Sequence, residues 1–241
     1  IEKTAEILNN GKKIVILVGQ GALNASEEVI DVAQKLNAPI IKAMLGKAVV
    51  PDDHPHSLGG IGFLGTEPSS DAMAESDTLF MVGTSFPYIE YLPRPGQATG
   101  IQIDIKPEKI GLRYPIKIGL IGDSKQVLLD LIPLLHDRRT DRRDNDTSAE
   151  FLKSKQEAMK KWNDILNEQS SRADEPIKPQ VVAAVVSNEL DVNAIISVDS
   201  GINTCWAARF LKLKNGMKFS GSGSLATMGC AVPYAIAAKI A

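Results

Sequence analysis

Cysteine, histidine and aromatic residues are scarce, at two residues, three residues and 5% of a chain of 241. So few thiols exclude a disulfide scaffold, and Cys205 and Cys230, which lack metal-ligand spacing, are interpreted as reduced thiols of a cytosolic protein. No apolar run approaches the roughly 20 residues that span a bilayer, and the first residues do not form a signal peptide. The net charge of −2 gives no electrostatic reason to expect a nucleic acid partner.

Hydrophobic residues make up 44% of the chain, enough for the core of one large domain or two smaller ones. A helical apolar pattern begins at Ile1, and another is still running at Ala241. We therefore expect both ends to have been cut from a longer protein.

An apolar run that stops at a glycine pair organises the chain. The unbroken run Ile14–Val18 is typical of a strand that is covered on both faces in a parallel sheet. Gly19 and Gly21 allow a tight turn, and Asn24 or Ser26 is expected to cap the helix that follows. The arrangement predicts free backbone N–H groups above a strand end, where phosphates bind.

The glycine pair does not complete the fingerprint of NAD-binding proteins. Asn24 stands where the third glycine should be, and the second strand, residues 39–43, ends without the acid that would hold an NAD ribose. On its own, the turn fits a plain strand-to-helix connection as well as it fits a binding site.

Strands alternate with helices over residues 1–135, which predicts a doubly wound α/β domain with a parallel sheet. A loop over residues 50–66 is long and rich in Pro, Gly and His, and loops of this kind are usually functional. Further strands are predicted over residues 78–82, 100–105 and 117–121.

A change in composition predicts where this domain ends. Residues 136–148 contain no apolar side chain and mix both charges, which favours a solvated linker over a nucleic acid patch. A polar helix follows, with Trp162 and Ile165 on its apolar face, and a second α/β pattern starts at Ile177. The predicted divisions are 1–135, a charged linker and long helix over 136–176, and a truncated second α/β domain over 177–241.

Neither a metal site nor a serine hydrolase site is indicated by the sequence. His54 and His56, beside two aspartates, have the spacing of a turn, and no distant histidine completes a metal shell. The absence of a Gly-x-Ser-x-Gly motif argues against a serine hydrolase.

Polar residues and glycines follow several of the predicted strands. Asp104 and Asp123 come directly after strands, at the edge where open α/β sheets bind ligands, although each could equally cap a turn or a helix. Gly19, Met44 and Gly83 occupy comparable positions. This convergence favours a binding site.

Seven segments in order resemble one enzyme group. GQGALN, AMLGKAVVPDDHPHSLGGIGFLGT, LFMVGTSFPY, GIQIDIKPEKIG and IGLIGDSKQVL resemble the central domain of thiamine diphosphate enzymes of the pyruvate oxidase and acetolactate synthase group. VDSGINTCWAARFLKLKNGMKF and SGSGSLATMGCAVPYAIAAKIA resemble the start of their diphosphate-binding domain.

The resemblance implies a Rossmann-like (FAD/DHS-type) domain with a six-stranded parallel sheet that binds FAD at its strand ends. The implied FAD contacts are Gly19, Gln20, Gly21, Ala22, Ala43, Met44, Leu45, Gly46, Lys47, Gly62, Phe63, Leu64, Gly65, Gly83, Thr84, Ser85, Asp104, Ile105, Gly122 and Asp123. The implied thiamine diphosphate contacts are Asn203, Ala226, Thr227 and Met228, with Ala226 in place of the group's usual glycine.

The resemblance assigns no catalytic group and no metal ligand to this chain. In this group the activating glutamate and the Gly-Asp-Gly motif that binds Mg²⁺ belong to segments that this sequence does not contain. The chain by itself is therefore expected to be inactive.

Within the group, GTSFPY at residues 83–88 resembles flavin-dependent pyruvate oxidases that pass electrons to quinone, whereas acetolactate synthases usually have Arg-Phe-Asp-Asp there. The resemblance thus implies part of a pyruvate dehydrogenase (quinone), which oxidises pyruvate to acetate and carbon dioxide. Phosphate-dependent pyruvate oxidase, acetolactate synthase and a non-catalytic nucleotide-binding module remain alternatives. The intact enzyme is expected to be a cytoplasmic homotetramer that contacts the inner face of the cell membrane through a segment outside this chain.

Overall fold

The structure, a computed structural model, describes residues 1–140, 147–223 and 225–241. Its larger unit contains a parallel sheet of six strands: β1 (Ile14–Val18), β2 (Ile40–Lys42), β3 (Ser57–Gly60), β4 (Thr78–Val82), β5 (Thr99–Asp104) and β6 (Ile116–Ile121). Their order is β3-β2-β1-β4-β5-β6, so the winding reverses between β1 and β4. The doubly wound, Rossmann-like sheet that the sequence predicts is confirmed.

The two central strands explain why the sheet forms. Every residue of β1 and β4 is buried, as the unbroken apolar run Ile14–Val18 predicts. One face of the sheet is covered by α1 (Glu2–Asn10), α2 (Ser26–Leu36) and α4 (Ser124–Leu131), and the other by α3 (Glu67–Glu75) and α5 (Thr147–Ser170). The sheet therefore separates two apolar cores.

A smaller unit follows α5. It consists of α6 (Pro179–Glu189), α7 (Ile202–Phe210), α8 (Ala231–Ile240) and a parallel pair of strands, β7 (Ile195–Val198) and β8 (Lys218–Gly221). Its small core includes Val198, Leu213 and Phe219, and Met44 and Ala48 of the larger unit pack against that core. The loop after β2 is thus a point of contact between the two units.

Two strands do not follow from the sequence pattern. The prediction of a continuous loop over residues 50–66 is wrong, because β3 lies inside that range and pairs with β2. β8 lies beside a stretch rich in glycine and serine. Both strands are only four residues long and contain glycine, so pairing with a neighbour, rather than intrinsic preference, determines them.

The predicted cap of α2 is also wrong. Its N-cap residue is Ala25, and no side chain caps it. The Ser26 hydroxyl instead donates a hydrogen bond to the Val49 carbonyl at 2.5 Å. Ser26 therefore fastens the loop after β2 to the start of α2.

Residues 141–146 of the predicted linker lie outside the described residues. The part of the predicted linker before them contacts the larger unit, where the Arg138 guanidinium donates to the carbonyls of Leu8 and Gly11 at the end of α1. These bonds satisfy carbonyl groups that a helix end leaves without partners.

The apolar face of α5 differs from its prediction. Phe151, Leu152 and Leu166 are buried, whereas Ile165 is 45% exposed. Buried or half-buried residues recur every three or four positions, at Phe151, Lys155, Met159, Trp162 and Leu166. Trp162 is therefore on the apolar face as predicted, and Ile165 is one position off it. Phe151 belongs to the core under the six-stranded sheet.

Every helix in the described part of the chain is too short or too polar to cross a membrane.

Candidate functional site

The residues predicted to contact FAD follow all six strands of the larger sheet. Parallel strands end at the same edge, and the structure accordingly places these turns along one carboxyl edge. The turns after β1 and β4 flank the point where the winding reverses. This is the position at which open α/β sheets bind ligands.

Glycines at this edge allow backbones to approach closely. A Cβ atom on Gly19 would lie 2.5 Å from the Thr84 Cβ, and one on Gly46 would lie 2.8 Å from the Gly19 Cα. Gly83 has φ +60°, and its Cβ would lie 2.4 Å from the carbonyl carbon of Gly21. The turns after β1, β2 and β4 therefore pack against one another where only glycine fits.

This packing changes the role predicted for the glycine N–H groups. Gly19 donates to the Val82 carbonyl at 3.1 Å, Gly21 to Gly83 at 2.9 Å, and Ala22 to Gly19 at 3.0 Å. The prediction that these N–H groups are free for phosphate is wrong, because those of Gly19 and Gly21 are bonded to the end of β4 and the turn after it, and that of Ala22 is bonded within its own turn. Contact of this turn with a cofactor through other atoms stays a prediction.

Asp104, the last residue of β5, and Asp123, which follows β6, have structural partners. Asp104 accepts a hydrogen bond from the Lys106 N–H at 3.0 Å, and Asp123 accepts one from the Gln126 N–H at 3.1 Å. Asp123 is the N-cap of α4, as its sequence context predicts. Beside Asp104, Ile105 is 68% exposed, so this part of the edge combines a carboxylate with an open apolar surface.

A cavity of about 350 Å³ lies where the turns after β1 and β2 meet the smaller unit. Its lining residues from the larger unit are Gln20, Leu23 and Leu45, and those from the smaller unit are Phe219, Ser220, Gly221, Gly223 and Tyr234. Both units thus contribute to one open, concave surface that carries polar and apolar groups.

The residues predicted to contact thiamine diphosphate lie in two neighbouring segments. Asn203 is in the first turn of α7, and Thr227 is brought near that helix start by a bond from the Ser200 N–H to the Thr227 carbonyl at 3.3 Å. Met228 is 82% exposed. The structure therefore brings the four predicted residues to one exposed surface of the smaller unit.

Asp199, which sequence reasoning did not single out, organises this surface. Its carboxylate accepts the Ala231 N–H at 2.7 Å at the start of α8, and its carbonyl accepts the Thr204 hydroxyl at 2.5 Å. The hydrogen bond from Ala231 lowers the pKa of the Asp199 carboxyl. Its position directly after β7 is the feature of the sequence that could have identified it.

A buried group of charges, the Lys42–Asp52–Lys47 cluster, was also missed. The side chains of Lys42, Asp52 and Lys47 are 2%, 7% and 7% exposed, and the Asp52 carboxylate bridges both ammonium groups. Burial lowers the pKa of Lys42 to about 8. Burial by itself would raise the pKa of Asp52, but Lys47 and Lys42 outweigh it and hold that pKa well below its usual range.

The cluster changes the interpretation of one predicted FAD contact. The Lys47 ammonium group donates to Asp52 at 2.8 Å and to the Ala208 carbonyl at 3.2 Å. Its charge is therefore directed at the smaller unit. These bonds indicate a structural role for the Lys47 side chain and not a contact with FAD. Spacing could not reveal this, because Ala208 is 161 residues away.

The two histidines near this cluster sit in a turn, as predicted. The His56 Nδ1 atom lies 2.8 Å from the Ala38 carbonyl, and the His56 N–H donates to the His54 Nδ1 at 3.2 Å. Burial lowers the pKa of both rings.

The chain thus has a doubly wound sheet whose strand ends share a cavity with a second α/β unit, an arrangement in which α/β proteins bind ligands. Residues 1–131 match the family model "Thiamine pyrophosphate enzyme, central domain", and residues 199–241 match "Thiamine pyrophosphate enzyme, C-terminal TPP binding domain". The chain belongs to the thiamine pyrophosphate enzyme family.

Three relatives are similar to this chain over nearly its whole length. YdaP of Bacillus subtilis, described as thiamine pyrophosphate-containing, is 43% identical over 236 residues, 98% of this chain and 39% of that protein. A "Probable acetolactate synthase large subunit" of Methanocaldococcus jannaschii is 35% identical over 254 residues, 100% of this chain and 41% of that protein. The pyruvate oxidase of Lactiplantibacillus plantarum is 26% identical over 242 residues, 100% of this chain and 39% of that protein.

A solved structure has the same fold. A thiamin diphosphate-dependent enzyme from Mycobacterium smegmatis superposes with a TM-score of 0.70 at 23% identity, covering 98% of this chain and 43% of that one. The chain spans about two fifths of the length of the curated relatives it matches.

Proposed function

We propose that this chain is part of a thiamine diphosphate- and FAD-dependent pyruvate dehydrogenase that passes electrons to a quinone. The observation that carries the proposal is the cavity between Gln20 and Leu45 on one side and Phe219 and Tyr234 on the other. It joins strand ends that the family resemblance assigns to FAD with the unit whose sequence matches a TPP-binding domain. When bound, thiamine diphosphate supplies carbanion stabilisation and FAD accepts electrons.

The residues of this chain would bind and orient these groups. Along the carboxyl edge, Gln20, Met44 and Leu45 offer half-buried or exposed side chains, and Ile105 offers an open apolar surface beside the Asp104 carboxylate. This mixture suits the long, partly aromatic and partly ribityl body of FAD. In the smaller unit, Asn203 and the segment 226–228 would contact thiamine diphosphate from one side.

The segment after β4 favours pyruvate oxidation over acetolactate synthesis. Phe86 is 8% exposed and packs edge-on against Tyr88 with ring centroids 5.5 Å apart, while the Thr84 carbonyl accepts a bond from Gln102. Tyr88 is 57% exposed, so it presents an uncharged aromatic ring where acetolactate synthases usually have Arg-Phe-Asp-Asp. A pyruvate oxidase is among the relatives, at 26% identity, so the preference for oxidation rests on this segment and not on overall similarity.

Acetolactate synthase is the second candidate, because a relative with that name is 35% identical to this chain. A flavin in such an enzyme would not be reduced during turnover. The two candidates therefore differ in one observable, the redox state of the flavin in the presence of pyruvate.

The deciding experiment uses the full-length protein loaded with thiamine diphosphate, Mg²⁺ and FAD. We expect pyruvate to bleach the flavin absorbance without oxygen, a soluble quinone to restore it, and acetate to accumulate. Acetolactate formed without bleaching would contradict the proposal, and rapid peroxide formation with no response to quinone would indicate an oxidase instead.

A quinone acceptor lies in the membrane, so we further propose that the full-length protein contacts the inner face of the cell membrane. We propose a homotetramer from the resemblance to the enzyme group alone. Co-sedimentation of the reduced full-length enzyme with lipid vesicles, compared with the oxidised enzyme, tests the membrane contact. Equal partition of both forms into the supernatant would refute it, and light scattering gives the oligomeric state.

A further inference from the structure

The larger unit holds the end of α7 by bonds from two different loops. After β2, the Lys47 ammonium donates to the Ala208 carbonyl at 3.2 Å. The second bond runs from α7 to the loop after β3, where the Arg209 guanidinium donates to the Phe63 carbonyl at 3.1 Å. The Ala208 carbonyl belongs to the last turn of α7, where carbonyls lack partners within the helix and a cation is favoured by the helix dipole.

Asp52 and Leu213 are joined in both directions. The Leu213 N–H donates to the Asp52 carboxylate at 2.8 Å, and the Asp52 N–H donates to the Leu213 carbonyl at 2.9 Å. Leu213 is 1% exposed and belongs to the core of the smaller unit. The pair therefore couples the loop after β2 directly to that core.

The Lys42–Asp52–Lys47 cluster makes this coupling stiff. Lys42 is held by the Val50 carbonyl at 2.9 Å as well as by Asp52, so both ammonium groups and the carboxylate have several partners. Exposed ion pairs contribute little to stability, whereas removal of one partner from a buried group leaves an uncompensated charge. The bonds that Asp52 makes to Leu213 and Lys47 makes to Ala208 thus depend on the charge of Asp52.

α7 connects the cluster to the surface predicted to bind thiamine diphosphate. The helix has nine residues, which corresponds to a rod of roughly 13 Å at 1.5 Å per residue. Its C-terminal end lies on the cluster, and its N-terminal end carries Asn203 and is bonded through the Ser200 N–H to Thr227. Lys42 is the last residue of β2, directly before the segment predicted to contact FAD.

We propose that the Lys42–Asp52–Lys47 cluster is a clamp that sets the orientation of α7 against the six-stranded sheet, with Asp52 as its positioning residue. The clamp thereby fixes the distance between the regions assigned to the two cofactors. This last step rests on the proposed function, while the clamp itself rests on contacts within the chain.

Hydrogen exchange of the full-length protein tests the clamp without any cofactor. We compare Asp52→Asn with Asp53→Asn, a matched control at the adjacent, exposed aspartate. In Asp52→Asn the amides of residues 207–213 should exchange about tenfold faster or more, while those of β1 and β4 keep their protection. The control should match the wild type.

Unchanged exchange at residues 207–213 in Asp52→Asn would overturn the clamp. If Asp52→Asn does not fold, Lys47→Met removes the bond to Ala208 and leaves the Lys42–Asp52 pair in place. It should accelerate exchange of the last turn of α7 by a smaller factor, and no acceleration there would equally overturn the proposal.

A kinetic measurement separates positioning from simple stabilisation. In the loaded enzyme, Asp52→Asn should slow flavin reduction by pyruvate by about tenfold or more, with FAD and thiamine diphosphate affinities within about twofold of wild type. A parallel loss of both affinities would show that Asp52 only stabilises the fold. If pyruvate does not reduce the flavin even in the wild-type enzyme, the proposed function fails. The hydrogen exchange experiment still decides whether the clamp exists.

Discussion

The N–H of Gly21 donates to the carbonyl of Gly83 at 2.9 Å, so the turns after β1 and β4 are bonded to each other. The bond closes the gap at the point where the winding of the sheet reverses. A phosphate bound there would have to displace backbone. Any ligand of this edge is therefore expected to lie across the turns rather than between them.

Replacement of Gly83 by alanine should be strongly destabilising. Gly83 has φ +60°, and the new Cβ would lie 2.4 Å from the backbone of Gly21, so both strain and a clash arise. We expect a loss of about 3 kcal/mol or more in the free energy of unfolding, measured by urea titration.

Gly96→Ala is the matched control for this prediction. Gly96 has φ +84°, but a Cβ there would have no described neighbour within 4 Å, so only the strain of roughly 1 kcal/mol applies. Equal losses in the two variants would show that the close approach to Gly21 does not matter.

Asp52 should make the protein sensitive to acid. Its folded pKa lies below the ordinary value of 3.8, so the stability it contributes is complete above that value and is lost as the pH falls through the folded pKa. We expect the free energy of unfolding to fall below about pH 4 in the wild type, and less steeply in Asp52→Asn. Urea titrations between about pH 2 and 6 measure this, and identical slopes would contradict it.

Phe151, not Ile165, should fix α5 on the sheet. Phe151 is 4% exposed within the core, so Phe151→Ala should cost about 3 kcal/mol of unfolding free energy. Ile165→Ala removes a side chain that is 45% exposed and should cost less than about 1 kcal/mol. Thermal unfolding of the two variants measures both losses. A larger loss in Ile165→Ala than in Phe151→Ala would contradict this prediction.

The full-length protein should bind FAD in preference to NAD. The residue that ends β2 is Lys42, buried and bonded to Asp52, and Ala43 follows it, so no acid is available there for an NAD ribose. Flavin fluorescence quenching and calorimetric titration with NAD measure the two affinities. Measurable NAD binding with none for FAD would refute the assignment.

The parts of the fold that local pattern encodes could be predicted from the sequence. β1 and β4 follow from continuous apolar runs, and Asp123 at the start of α4 follows from its capping chemistry. β3 has one strongly apolar residue among glycines and a serine, so its strand conformation comes from pairing with β2. Tertiary context decided that element.

The candidate site was predictable only as a row of strand ends. Topology brings those ends to one edge, and that follows from parallel strands. The Lys42–Asp52–Lys47 cluster reaches the smaller unit through Ala208 and Leu213, each 161 residues distant from its partner. Neither periodicity nor motif spacing carries such information, so a lysine inside the predicted FAD segment gave no sign that its charge is directed at the other unit.

The loop after β2 is anchored at Gly46, whose backbone packs on Gly19, and again at Asp52. The number of residues between these two anchors is therefore constrained, because the segment must cover a fixed distance. Inserting one residue between Gly46 and Asp52 would move one anchor out of reach, whereas the turn at Gly96, with open space around it, has no such constraint. Among natural variants of this chain, length changes are therefore expected to collect near Gly96 and to be absent between Gly46 and Asp52.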